Sequence, residues 1–258
     1  MKKLLAILTL VSLLLTACSA ENMRGNYTDE MKIPHVRDLS GQDGADSVER
    51  STDHKDSPYF STVDFYNAKS TDDFVILSKF KTQQQSSEWS CGITSLLMVL
   101  NHYNILGDWN EYTLAELRPQ GLTPEGTSLS DLVEVVEQVG GFEIESSKDF
   151  KSEEELQEKF TLDYIQENLK EGTPIIIGWN DWGGHWQVII GYDTMGTEST
   201  QDDVLIVADA YDTTDHNQDG YGVYPAERFY YNFNFYNFFE ELEGENNNFM
   251  QYLIIKPI

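Results

Sequence analysis

Two side chains in this sequence can do covalent chemistry if the fold brings them together: Cys91 and His185. Cys91 opens a run to Tyr103 whose apolar residues fall at 93, 96, 97, 100 and 103, a helical period. A thiol at a helix start meets free backbone N–H groups and the positive end of the helix dipole, and both favour thiolate. A thiolate is a nucleophile. Gly92 removes bulk beside the sulfur. A lone cysteine is also a common buried structural residue, so the functional reading needs a partner. His185 offers one, at the head of the apolar run His185 to Tyr192 and directly after Gly183 and Gly184. His35, His54, His102 and His216 compete with it. His102 shares the Cys91 helix but lies ~16 Å along its axis, out of reach.

An imidazole that acts as base and acid needs an acceptor on its second nitrogen to fix the tautomer. Asp209 ends the apolar run Val204 to Asp209. With a hairpin centred near residue 198 it lies nearly across from residues 187–188, close to His185. Asp212, in the following polar loop, lies nearly opposite His185 and is the rival. Gln85 stands six residues before Cys91, and its amide together with the Cys91 N–H has the makings of an oxyanion hole. Gln83 and Gln84 adjoin it, so a plain polar run is the competing reading.

The residues Gln85 to Leu96 around Cys91-Gly92, then Gly184-His185-Trp186-Gln187-Val188-Ile189-Ile190-Gly191-Tyr192-Asp193, then Val207-Ala208-Asp209, resemble the papain-like cysteine peptidases. The likeness is greatest to the branch of bacteriocin-processing, double-glycine-leader peptidases and their secreted relatives. It spans roughly residues 72–212. Ile93 and Ala210 stand where that family often has proline. The resemblance implies Gln85 as oxyanion donor, Cys91 as nucleophile, His185 as general base and acid, and Asp209 as its orienting carboxylate. It implies amide cleavage through an acyl-thioester, on a peptide or protein substrate, with no cofactor or metal required. Two further readings remain: a catalytically silent papain-like fold that binds a peptide or wall component, and an acyltransferase using the same thioester.

These residues need a helix and a hairpin to hold them. Helical patterns come first: Cys91–Tyr103, Thr127–Val139 with Ser128 or Ser130 as cap and Gly140-Gly141 as stop, a capping box at Ser152 and Glu155, and Leu162–Leu169 before Gly172. Extended runs follow at Pro174–Trp179, His185–Tyr192, Val204–Asp209 and Tyr252–Ile255, after an early one at Phe74–Leu77. Helices then strands predict an α+β fold, a helical half carrying the nucleophile packed on an antiparallel sheet.

The 258 residues carry 17 Lys and Arg against 44 Asp and Glu, a formal charge of −27. That balance argues against a nucleic-acid partner, whose phosphates need clustered cations, and against docking by charge on an anionic membrane. Residues 1–17 read as a secretory signal: Lys2 and Lys3, then an apolar stretch from Leu4 to Leu15 that is short of the ~20 residues a membrane span needs. Leu15-Thr16-Ala17-Cys18 resembles a bacterial lipobox. It implies lipid on Cys18 and an extracytoplasmic protein held to a membrane or cell surface through that lipid alone. Residues 18–57 are polar and acidic without a period and read as a flexible linker, leaving 58–258 as the peptidase-like body.

Two motifs stand outside the catalytic set. Asp215, Asn217 and Asp219, followed by Gly220, match the first half of a calcium loop, while position 12 is Ala226 rather than Glu. Calcium is therefore a candidate ligand, with an Asx-rich turn as the plainer reading. Residues Phe229 to Phe239 hold eight aromatics in eleven positions, either an element packed on the sheet or an aromatic wall of a groove.

Overall fold

The computed structural model describes residues 29–47, 63–181, 183–214, 218–235 and 249–258. Cys18 and the signal-like residues 1–17 lie outside the described residues, as do Asp215, His216 and Asn217.

In chain order the body contains β1 (Phe74–Ile76), α1 (Cys91–His102), α2 (Glu111–Glu116), α3 (Leu129–Val139), β2 (Phe142–Ser146), α4 (Glu153–Lys159), α5 (Leu162–Lys170), β3 (Ile175–Trp179), β4 (His185–Asp193), β5 (Val204–Asp209), β6 (Tyr221–Pro225), α6 (Ala226–Phe235) and β7 (Gln251–Pro257). Seven strands form one antiparallel sheet in the order β2-β7-β3-β4-β5-β6, with β1 added against β4. The α+β architecture expected from the sequence is the one found, with α1 lying against the sheet over β4.

α1 is buried from Cys91 to Leu100. The sequence accounts for this: Ile93, Leu96, Leu97, Met98, Val99 and Leu100 leave no polar face, and the two hydroxyls, Thr94 and Ser95, both find buried partners. A helix apolar all round belongs in an interior. β3 is buried along its whole length, and β4 through Tyr192. Full burial of neighbouring strands explains their near-continuous Ile and Val rather than alternation. α3 begins with the Ser128–Asp131 capping box and stops at Gly140, whose φ is 75°.

The linker expectation needs correction over residues 29–47. Met31, Ile33 and Ala45 are buried in the body. The segment also pairs backbone to backbone with the stretch before α1: Ile33 N donates to Thr82 O at 2.8 Å, Thr82 N to Met31 O at 3.0 Å, Ser40 N to Ser86 O at 3.1 Å and Asp46 N to Gln85 O at 3.3 Å. Gly44 lies so close that a Cβ there would fall 2.3 Å from the Ser86 carbonyl carbon. Three isolated apolar residues are anchors enough when the backbone between them is hydrogen-bonded. The expectation for residues 48–57 falls outside the described residues.

The aromatic run is a packing element as far as it is described. Phe229 and Phe233 are buried on α6, with ring centroids 5.2 Å apart. Phe229 meets Trp179 at 4.9 Å and Phe233 meets Phe160 at 5.3 Å, while Tyr231 is exposed. Residues 236–239 lie outside the described residues. No helix among the described residues is long and apolar enough to cross a membrane.

Candidate active site

α1 begins at Cys91 without a side-chain cap. Ser90 occupies the N-cap position, but its hydroxyl turns back to the Ser87 carbonyl at 3.2 Å. The first N–H groups of the helix are therefore left to the sulfur and its surroundings. Gly92 allows this crowding, because a Cβ there would meet the Trp186 indole at 3.1 Å.

β4 brings His185 to that helix end. Two tethers set the distance: Ser95 Oγ donates to the Trp186 carbonyl at 3.1 Å, and Trp186 Nε1 donates to the Thr127 carbonyl at 2.9 Å, just before α3. Gly178, opposite Trp186 in the β3–β4 register, makes room for the indole; a Cβ at 178 would lie 2.9 Å from the ring. The loop leading to His185 turns through Gly183 and Gly184 at φ 85° and 103°, conformations that favour glycine.

The β4–β5 register places Gln187 opposite Asp209, so His185 is its diagonal neighbour on the same face. His185 Nε2 lies 2.6 Å from Asp209 Oδ1. The ring also hydrogen-bonds the Cys91 side chain. With Nε2 engaged by the carboxylate, Nδ1 is the atom that meets the sulfur. Asp209 is further fixed by the Tyr211 N–H on Oδ1 at 2.7 Å and the Gln187 amide on Oδ2 at 2.8 Å. Asp212 is elsewhere: Oδ1 accepts from Thr214 N and Oγ1, and Oδ2 from Gly220 N, so it holds the 212–220 loop together.

Cys91 and His185 are only 7% and 5% exposed, so burial works against either charge. Burial pushes the Cys91 thiol up. The His185 hydrogen bond and charge, with the backbone N–H groups of Trp186 and Gly92, outweigh it, and the thiol ends below its ordinary value. Burial likewise pulls His185 down, but the charge and hydrogen bond of Asp209 and the contact with Cys91 push it up to about 10. Burial raises Asp209, and His185, the Tyr211 N–H and the Gln187 amide bring it below the usual carboxylate value. Together these shifts favour a chain of thiolate, imidazolium and carboxylate over the neutral thiol and imidazole.

Gln85 is buried on the stretch that leads into α1. Its own N–H donates to the Ala210 carbonyl at 2.8 Å, tying it to the residue after Asp209. One hydrogen of its side-chain amide goes to the Ser87 carbonyl at 2.7 Å. The other has no partner among the described residues, and neither does Oε1. Gln84 is a structural neighbour, donating to the Asp212 carbonyl at 2.6 Å. The buried Glu111 on α2 braces this stretch from behind: it accepts from Ser86 N at 2.9 Å, from Ser86 Oγ at 2.6 Å and from Thr94 Oγ1 on α1 at 3.2 Å.

Of the three calcium candidates only Asp219 is described. It is buried, and its Oδ1 accepts from Tyr221 N at 3.0 Å at the start of β6. Another group with metal-ligand donors, His35, Asp38 and Asp46, lies on the 29–47 segment; its donor atoms fall within 4.8 Å of one another. His35 Nδ1 and Asp38 Oδ1 lie 3.2 Å apart there. Gln187 and Glu111 also hold the site together, beyond the residues expected from the sequence. Gln187 did carry a signal, as a polar residue two positions after His185 inside an apolar strand. Glu111 carried none, because its partners are distant along the chain.

Comparison with known proteins adds three findings. No curated protein matches this sequence. Xylellain, a cysteine protease from Xylella fastidiosa, aligns over 88% of this chain and 100% of its own, with 13% identity and a TM-score of 0.43, too weak a likeness to bear on activity. Residues 77–238, which contain Gln85, Cys91, His185 and Asp209, match the model of the Peptidase_C39 like family. By that match the chain belongs to the Peptidase_C39 like family of cysteine peptidase-like hydrolases.

Proposed function

We propose that this protein is an extracytoplasmic, lipid-anchored peptidase or amidase that works through Cys91, His185 and Asp209. The observation that carries the reading is the 2.6 Å contact between His185 Nε2 and Asp209, which turns Nδ1 toward the Cys91 sulfur. The Cys91 thiolate attacks the carbonyl carbon of a scissile amide, and the C=O pair moves onto oxygen. The Cys91 backbone N–H and the second hydrogen of the Gln85 amide receive that oxyanion. His185 then passes its Nδ1 proton to the leaving amine as the C–N bond breaks, giving a thioester on Cys91. Water, losing a proton to Nδ1, attacks the thioester and releases the acid. Asp209 keeps its charge throughout and steadies the imidazolium. No step calls on a metal or cofactor.

Gln85→Ala tests the oxyanion role. One well-placed donor contributes ~10²–10³-fold in kcat, so the variant should lose that factor on a peptide library read by mass spectrometry, while Cys91 still alkylates at the unaltered rate. Unchanged turnover would remove Gln85 from the mechanism.

The anchoring half of the reading rests on Leu15-Thr16-Ala17-Cys18. Two or more acyl chains on Cys18 would hold the body to a membrane stably. Cells expressing the full chain and fed labelled palmitate should label the protein, and Cys18→Ala should lose that label; label retained in the variant would refute lipidation at this site.

A further inference from the structure

β4 is buried on both faces through Tyr192, and one face carries His185 and Gln187, two residues apart. Gln187 is fully buried. Its orientation is dictated by a neighbour. Trp179 Nε1–H can only donate, and it lies 2.8 Å from Gln187 Oε1. The amide nitrogen must then face the other way, where it finds Asp209 Oδ2 at 2.8 Å, Asp181 Oδ2 at 3.0 Å and the Tyr224 hydroxyl at 3.1 Å. Tyr224 donates its own hydrogen to Asp181 Oδ2 at 2.8 Å. The two hydrogens on Nε2 are thus placed to serve one carboxylate each.

Asp209 and Asp181 come from different parts of the fold. Asp209 ends β5. Asp181 sits in the loop between β3 and β4, and its carbonyl accepts from Gly184 N at 3.1 Å, immediately before His185. Without a donor between them, two carboxylates directed at one buried spot would repel, and one would take up a proton or swing away. Either way Asp209 loses the bond on Oδ2 and is held through Oδ1 alone, by the Tyr211 N–H and His185.

We propose that Gln187 is a positioning residue: an amide wedge between Asp209 and Asp181 that aims Asp209 Oδ1 at His185 and ties the loop before His185 to the same point. The proposal rests on the peptidase reading and names what keeps its carboxylate in place. The groups that face the amide are Asp209 from β5, Asp181 from the β3–β4 loop, Tyr224 from β6 and Trp179 from β3, with His185 beside it on β4.

The test is the rate of Cys91 alkylation by iodoacetamide in the full-length protein, followed from about pH 5 to about pH 9. Gln187→Met keeps length and removes both donors. It should slow alkylation roughly tenfold near pH 6, since a misplaced Asp209 steadies the imidazolium less and the thiolate forms at higher pH. Gln187→Glu separates positioning from packing. While protonated, the new carboxyl can donate to Asp209 and accept from Trp179, so the variant should match the natural protein at the acid end and fall behind as that proton leaves. Melting curves record stability in parallel. Profiles of both variants that overlay the natural one would overturn the proposal while leaving the peptidase reading intact. If Gln187→Met does not fold, Gln187→Glu decides by itself: a constant ratio to the natural rate at every pH overturns the wedge. A natural-sequence Cys91 no faster than free cysteine would overturn the peptidase reading first, and this proposal with it.

Discussion

Cys91→Ala should bring turnover down to near background. Loss of the attacking atom from a nucleophile–base pair costs roughly 10⁴-fold or more, leaving only what binding and oxyanion donors supply. The change is small in volume, and α1 keeps its other buried side chains, Ile93 and Leu96 among them. The variant should therefore fold and still bind substrate while releasing no product from a peptide library that the natural protein cleaves. Its melting temperature also reports on the site. Removing the sulfur leaves His185 and Asp209, 2.6 Å apart in the natural protein, as a buried pair. A variant that folds and still cleaves would move the chemistry away from Cys91 altogether.

His185→Ala should be nearly as damaging and should fail differently. The thiol is held below its ordinary value against burial, and the hydrogen bond and charge of His185 lead the opposing causes. With the imidazole gone, burial dominates and the thiol rises above that value. Thiolate near pH 6 then falls, about tenfold for each pKa unit by which the thiol rises. The leaving amine also loses its acid. Turnover in the natural protein carries the matching signature. It should fall on the acid side as Cys91 is protonated. On the alkaline side it should fall as pH rises through about 10, where His185, raised by Asp209, gives up its proton. These limbs belong to the coupled pair rather than to either residue. Alkylation behaves otherwise, because it needs only thiolate and should persist past the alkaline limb. A His185→Ala protein with an unchanged alkylation profile would show that the ring does not activate the sulfur.

The elements that hold the site were legible because each has a strong local signature. α1 shows a helical period with its apolar residues gathered between Ile93 and Leu100, and β4 and β5 are short apolar runs joined by a polar hairpin. A hairpin centred near residue 198 brings both Asp209 and Asp212 near His185, the end of the apolar run favours Asp209, and the observed register sets Asp209 opposite Gln187. What escaped was whatever depends on contacts far along the chain. Residues 29–47 have single apolar side chains and many acids, the profile of a linker, yet their backbone pairs with residues 82–86. β2 and β6 each have only five residues, and the polar or exposed positions in Phe142–Ser146 and Tyr221–Pro225 match edge strands that sheet pairing, not composition, selects. Glu111 is an acid on a six-residue helix, and nothing local marks it as the brace for Ser86 and Thr94.

The most direct measurement is the iodoacetamide alkylation rate of Cys91 near pH 6, with the adduct located by mass spectrometry. A thiolate held by His185 should react far faster than an ordinary cysteine, whose pKa of ~8.5 leaves it well under one per cent ionised there. A rate no greater than that of free cysteine, unaffected by His185→Ala, would contradict the account.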